Sequence, residues 1–380
     1  MAIESDRSSA ETAPPGPGAG PIRVMVVDDS AIIRGLYTRT LEADPEVRVI
    51  SSVSNGEMAI SSLKRQEIDV IVLDIEMPVM DGLTALPLLL EAQPKIAIII
   101  SSTLSRKNAE VSLRALRIGA KDYITKPTAT SEAGAAQTFR DELLAKVKAL
   151  GRSRRGPPLG ERRPALPHAA GGAARPGALS LRPTVRDLPD AIAIGSSTGG
   201  PQALFAVVSA LRKDLLQPIF ITQHMPATFT TILAEHLARI GGRPCSEAKD
   251  GEPVQAGHVY VAPGDFHMSV ETVGTSRVLR LLKTPAENFC RPSVDPMLRA
   301  LAQIYGRRLL VVILTGMGQD GLRGAEQVVK TGGMVIAQDE ASSVVWGMPG
   351  AVANAGLCSA VLPIDEIGPF VQRTAVRSAA

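Results

Sequence analysis

At 380 residues the chain exceeds one ordinary core, and 45% hydrophobic with 21% charged residues is the composition of a soluble globular protein. Aromatic residues make up 3%, which argues against a base-stacking surface, and a net charge of +3 is too small to imply nucleic acid. Cys245, Cys290 and Cys358 are odd in number and scattered, with no C-x-x-C pair. That excludes a disulfide framework or zinc cluster and fits a reducing, cytoplasmic setting. The N-terminus lacks a leader-like apolar region, and no apolar run reaches the ~18 residues of a spanning helix.

Residues 1–20, rich in Ala, Pro, Gly and Ser, read as a disordered tail. Then short apolar runs alternate with helical stretches. The runs are Val24–Val27, Val47–Ser51, Val70–Leu73, Ile96–Ile100 and Tyr123–Ile124. The helical stretches open near Ser30, Gly56, Gly82 and Lys107, with a last one at Phe139–Leu150. This rhythm predicts a doubly wound parallel sheet over residues 21–150. From residue 151 to 188 periodicity gives way to a Pro, Gly and Arg-rich linker; eight arginines face only Glu161 and Asp187 as acids. A second alternation fills 189–380. Its apolar runs are Ala191–Ile194, Ile219–Thr222, Val259–Val261, Leu309–Leu314 and Met334–Ala337, and its helices Pro201–Leu211, Phe229–Ile240, Val294–Tyr305 and Gly321–Lys330. His267–Val270 and Val278–Leu282, around a turn with Gly274, predict a β-hairpin. The expected class is α/β: a flavodoxin-like doubly wound sheet followed by a larger doubly wound unit with a hairpin.

In open parallel sheets ligands bind at the carboxyl ends of strands. In the first unit those ends carry Asp28-Asp29, Asp74, Ser101 and the approach to Lys126-Pro127. Clustered carboxylates favour a hard cation such as Mg²⁺ beside Asp74, where Ser101 and Lys126 would hold phosphoryl oxygens. Asp-Asp before a helix also reads as an N-cap, and Asp74 alone as a turn residue; the joint placement favours a site. Val26-Val27-Asp28-Asp29-Ser30, Leu73-Asp74-Ile75-Glu76-Met77-Pro78, Asp81-Gly82, Ser101 and Thr125-Lys126-Pro127 resemble the receiver domain of bacterial response regulators. The resemblance implies phosphorylation of Asp74 by a histidine kinase. It further implies Mg²⁺ on Asp28, Asp29, Asp74 and the Glu76 carbonyl, with Ser101, Tyr123 and Lys126 as switch residues.

In the second unit Gly195-x-Ser197-x-Gly199 stands between a strand and a helix opened by Pro201, the form of a nucleophile elbow. The pattern also arises by chance, so a base is needed. Of the five histidines, His168 lies in the linker, His236 is mid-helix, and His258 and His267 begin strands. His224 follows a strand and shares a rim with Ser197. Asp320, after Leu309–Leu314, would orient its ring, with a helix N-cap as the competing reading. The same loop holds a rival: Gly316-x-Gly318-x-x-Gly321 is a dinucleotide fingerprint, with Asp339 near the spacing of a ribose-binding acid. A receiver-gated, non-catalytic scaffold is the third reading.

Six segments resemble the chemotaxis protein-glutamate methylesterase family: Ile194–Gly200, Thr222–Pro226, Val259–Asp265, Arg291–Asp295, Ile313–Gly321 and Trp346–Pro349. Ser196, Gln319 and Ala227-Thr228 depart from the family's usual residues without touching the triad positions. The resemblance implies a Ser197, His224, Asp320 triad, an oxyanion donor at the Met317 backbone, and no cofactor for the hydrolase. It also implies methyl-accepting receptors as substrates and a chemotaxis kinase as phosphodonor. The expected protein is a monomer with no membrane insertion.

Overall fold

β-Branched runs build the strands, and in the first unit polar caps start four of the helices. In the computed structural model, which describes residues 20–127, 133–155, 179–184 and 187–376, Val24, Val26, Val70 and Val72 are fully buried. Helix starts follow the local chemistry: Ser30, Asn55, Asp81 and Ser105 each accept a backbone N–H as N-caps. The first unit runs β1 (Ile22–Val27), α1 (Ala31–Glu42), β2 (Val47–Val53), α2 (Gly56–Leu63), β3 (Val70–Asp74), α3 (Gly82–Ala92), β4 (Ala97–Ser102), α4 (Arg106–Ile118), β5 (Asp122–Thr125) and α5 (Ala133–Arg155). Its sheet order is β2-β1-β3-β4-β5, with every pair parallel.

The helix expected to end at Leu150 continues through Arg155 instead of stopping at Gly151. Arg154 and Arg155 explain the extension, since both reach the buried Asp69 just before β3. Burial would raise the Asp69 carboxyl, but Arg23 and Arg155 outweigh it and bring it to about 2. The expected tail and most of the expected linker, His168 included, lie outside the described residues.

The second unit runs β6 (Ala191–Ser196), α6 (Gly200–Ala210), β7 (Ile219–Gln223), α7 (Ala227–Gly241), β8 (Cys245–Glu247), β9 (Val259–Val261), the hairpin β10 (His267–Val273) and β11 (Ser276–Leu282), α8 (Val294–Tyr305), β12 (Leu309–Ile313), α9 (Leu322–Lys330), β13 (Met334–Gln338), α10 (Met348–Asn354), β14 (Ala360–Leu362) and α11 (Ile364–Ala375). Its parallel sheet has the order β14-β13-β12-β6-β7-β9-β8. Three adjacent central strands, β12, β6 and β7, therefore open their carboxyl ends on one crevice. The expected α/β class holds in both units.

One apolar cluster runs from the α2–α4 side of the first unit into α6, α7 and α11 of the second. Across that seam Tyr123 on β5 stacks on Phe229 of α7, with centroids 4.4 Å apart and planes within 11°. Gln202 donates to the carbonyls of Leu116 and Ala120, the second at 2.6 Å. Arg106 pairs with Glu235 at 2.7 Å.

Candidate functional site

At the carboxyl rim of the first unit's sheet three aspartates converge. β1 delivers Asp28 and Asp29, and β3 ends on Asp74. Gly82 lets the next helix start close beside that strand end, because a Cβ there would lie 2.0 Å from the Asp74 carbonyl oxygen. Ligand oxygens of Asp28, Asp29 and Asp74 lie within 4.8 Å of one another. Lys126 Nζ reaches Asp28 at 2.7 Å and Asp74 at 2.8 Å. Burial, then the negative Asp28, pushes the Asp74 carboxyl up to about 6 against the pull of Lys126.

An all-oxygen set of three converging carboxylates fits a hard dication such as Mg²⁺. The Glu76 carboxylate turns away to Lys107, 3.2 Å distant, leaving only its backbone for the role expected of it. Ser101 is the register partner of Asp74 across β3 and β4, but its buried hydroxyl is bonded to Tyr37 at 2.7 Å. The structure thus brings Lys126 to Asp74 and leaves Ser101 turned aside. Tyr123 is buried against Phe229.

In the second unit Ser197 and His224 follow β6 and β7 directly, and Asp320 lies at the far end of the loop that joins β12 to α9. The elbow needs glycine where it turns: Gly199 has φ +75°, and a Cβ on Gly200 would meet Gln223 Oε1 at 2.0 Å. Gln223 fixes this turn from below. It accepts from Ser196 Oγ at 2.7 Å and donates to the Ser197 carbonyl at 2.9 Å. Gly316 brings the Asp320 loop against the elbow, since a Cβ there would lie 2.9 Å from Ser197 Cβ. Among the described residues the backbone N–H groups of Thr198 and Met317 have no hydrogen-bond partner.

His224 Nε2 and Asp320 Oδ2 are 2.7 Å apart. The same Oδ2 accepts from Val294 N at 2.6 Å. Oδ1 accepts from Asn288 Nδ2 and Ser293 Oγ, each at 2.8 Å, from Gly321 N at 2.9 Å and from Asp295 N at 3.1 Å. Burial alone would raise the Asp320 carboxyl, yet His224 and these donors hold it below the usual carboxylate range. Burial disfavours a charged His224 ring, but the contacts with Asp320 and Cys290 outweigh it and raise its pKa. Asp295, beside Asp320, is raised by burial, with the neighbouring negative charge adding to it.

The expected triad is therefore half assembled. His224 and Asp320 are joined, whereas Ser197 Oγ makes no hydrogen bond among the described residues. His224 Nδ1 faces Cys290 Sγ at 3.3 Å instead.

Sequence reasoning missed Asn288, Ser293 and Cys290 as parts of this site. Arg291–Asp295 was visible as a motif, but nothing in its spacing says that its hydroxyl and amides converge on Asp320. Of the other histidines, His267 bonds Ser293 N and the Pro285 carbonyl, and His258 pairs with Ser246. His236 is buried beside Phe205. Asp339, the acid of the dinucleotide reading, instead accepts from Ser342 N at 3.0 Å and is used within its own loop.

Comparison with known proteins finds two families along the chain. The family described as CheB methylesterase matches residues 192–371, and the response regulator receiver domain matches 24–136. The chain is 57% identical over 377 residues to protein-glutamate methylesterase/protein-glutamine glutaminase 1 of Paramagnetospirillum magneticum, covering 96% of this chain and 98% of that one. It is 58% identical over 373 residues to the protein of the same description from Azospirillum brasilense, covering 95% of each. Among solved structures, the Thermotoga maritima CheB methylesterase catalytic domain is 42% identical over 48% of this chain and 97% of that one, with a TM-score of 0.47. Among the described residues no helix is long and apolar enough to cross a membrane.

Proposed function

The chain belongs to the protein-glutamate methylesterase/protein-glutamine glutaminase family, receiver-regulated hydrolases of chemotaxis, and on that premise we propose that Ser197, His224 and Asp320 perform the hydrolysis and Asp74 controls it. The observation that carries this reading is the 2.7 Å His224–Asp320 bond at the mouth of three adjacent strands, with Ser197 on the central one.

Asp320 accepts the Nε2–H and leaves Nδ1 as the basic nitrogen, the reverse of the ring orientation in the chymotrypsin template. Ser197 Oγ turns toward Nδ1 and attacks the methyl-ester carbonyl of a receptor glutamyl side chain, and its proton passes to His224. The oxyanion is met by the backbone N–H groups of Met317 and Thr198, a contribution of about 3 kcal/mol per donor. The imidazolium protonates the departing methoxy oxygen to release methanol, and water then hydrolyses the acyl-enzyme by the same base to restore glutamate. With a glutamine side chain the same steps release ammonia.

Control follows from the seam between the units. The receiver lies against the first turns of α6 and α7, beside the residues that follow Ser197 and His224. Val344 makes a second contact: it packs against the receiver's α1–α5 cluster and sits where a Cβ on Gly199 would be. Unphosphorylated, the receiver restricts the crevice. A chemotaxis histidine kinase supplies the phosphoryl group to Asp74. Mg²⁺ held by Asp28, Asp29, Asp74 and the Glu76 carbonyl would neutralise charge there, while Lys126 and a turned Ser101 hold phosphoryl oxygens.

The test is methanol release from methylated chemoreceptor membranes, with and without a small phosphodonor and Mg²⁺. Release should fall at least a thousandfold in Ser197→Ala, and its stimulation should vanish in Asp74→Asn. Substantial release by Ser197→Ala would discard the serine assignment.

A further inference from the structure

The turn that precedes the Arg291–Asp295 motif is built unusually. Glu287 and Cys290 exchange backbone hydrogen bonds of 3.1 and 2.9 Å, and the two residues between them, Asn288 and Phe289, have φ of +51° and +62°. This is the hairpin turn ordinarily made with glycine. Here Asn288 is tied down from below, its Nδ2 bridging the carboxylates of Asp295 and Asp320 at 2.9 and 2.8 Å. Phe289 at the tip is wholly exposed. The outcome is a partly exposed Cys290 thiol fixed against the base of the hydrolase.

Thiol, imidazole and carboxylate form one line: Cys290 Sγ to His224 Nδ1 at 3.3 Å, and His224 Nε2 to Asp320 Oδ2 at 2.7 Å. That is the constellation of a cysteine nucleophile, a base within reach and a third group orienting the base. Among the described residues the other two cysteines have no such partner. Burial pushes both Cys245 and Cys358 up to about 12, where a thiol is inert.

We propose that Cys290 is a modification site for small electrophiles, peroxides among them, and that its modification silences the esterase by occupying the face of His224 that Ser197 must reach. The proposal rests on the triad reading above. With an alkyl halide, sulfur forms the S–C bond, halide leaves with its electron pair, and the thiol proton passes to His224 Nδ1. With hydrogen peroxide, sulfur attacks one oxygen and the O–O bond breaks. The thiol proton travels by way of His224 to the departing hydroxide, giving water. Sulfur is oxidised by two electrons to a sulfenic acid, and peroxide is reduced by the same two.

The experiment pulses the full-length chain with iodoacetamide at neutral pH and reads adducts at the three cysteines by peptide mass spectrometry. Methanol release is followed on the same samples. Cys290 should be labelled at least tenfold faster than Cys245 or Cys358, with release falling in step. Hydrogen peroxide should give a sulfenic acid at Cys290, and dithiothreitol should restore the thiol and the activity together. In His224→Gln, Cys290 labelling should slow about tenfold. Equal labelling of the three cysteines, an unchanged rate in His224→Gln, or full release from chains fully modified at Cys290 would each overturn the proposal. The three-cysteine comparison uses the unsubstituted chain, so it stands even if a variant fails to fold. Failure of the esterase reading would show separately, as no methanol from the untreated chain.

Discussion

Asp320 receives six hydrogen bonds, from His224, Asn288, Ser293, Val294, Asp295 and Gly321, and this determines what its charge can do. A carboxylate so held stays ionised at neutral pH, and its bond to Nε2 favours the protonated imidazole. His224 must be neutral to take a proton from Ser197. A raised pKa therefore makes hydrolysis increase with pH, with the acid limb above the ordinary histidine value near 6.5. Asp320→Asn removes the negative charge, so the acid limb should move to lower pH. The rate should also fall about a hundred- to ten-thousandfold as the ring loses its fixed tautomer. A pH–rate profile of methanol release checks both; a limb that stays in place would separate Asp320 from His224.

At the scale of elements the seam includes one aromatic pair, Tyr123 on Phe229. Such a stack contributes about 0.5–1.5 kcal/mol beyond its buried area. Phe229→Ala should therefore raise methanol release by the unphosphorylated chain about two- to tenfold, with little change in the phosphorylated rate. An unchanged basal rate would mean that Tyr123 and Phe229 do not hold the closed arrangement.

The sequence is informative wherever an element is apolar and periodic. Val70–Leu73 lies within β3, α8 begins and ends on its expected residues, and the hairpin falls around Gly274. It is poorly informative at the sheet edges. β8 has only Cys245, Ser246 and Glu247, and β14 has three residues supported mainly by their neighbour. Helix α11 carries Pro369 inside it, a residue that ordinarily argues against a helix interior. The proposed triad is legible because Ser197 and His224 each follow a strand end and Asp320 stands in the loop from β12 to α9. Asn288 and Cys290 are not, since their roles come from a turn whose two positive φ values no glycine announces.

For the whole molecule, the proposed covering of the hydrolase by the receiver has a direct consequence. A 189–380 fragment should release methanol faster than the unphosphorylated whole chain and at about the rate of the phosphorylated one. A switch from mostly closed to mostly open requires about 5.5 kcal/mol between the two states. The aromatic pair supplies only part of that, so the rest must be spread over the α4 contacts, Gln202 and Val344. A fragment no faster than the unphosphorylated chain would rule out inhibition by covering.

Because Tyr123 lies in the receiver and Phe229 in the hydrolase, the coupling between them must act in both directions. Whatever factor a filled acceptor site contributes to opening, closure subtracts from filling it. The hydrolase is then a regulator of its own regulator. A receiver cut free after Arg155 should bind beryllofluoride with Mg²⁺ more tightly than the intact chain, and Phe229→Ala should close part of that gap. Titrating both proteins with the same phosphoryl mimic would measure the reciprocity; equal affinities would mean that the seam carries no signal.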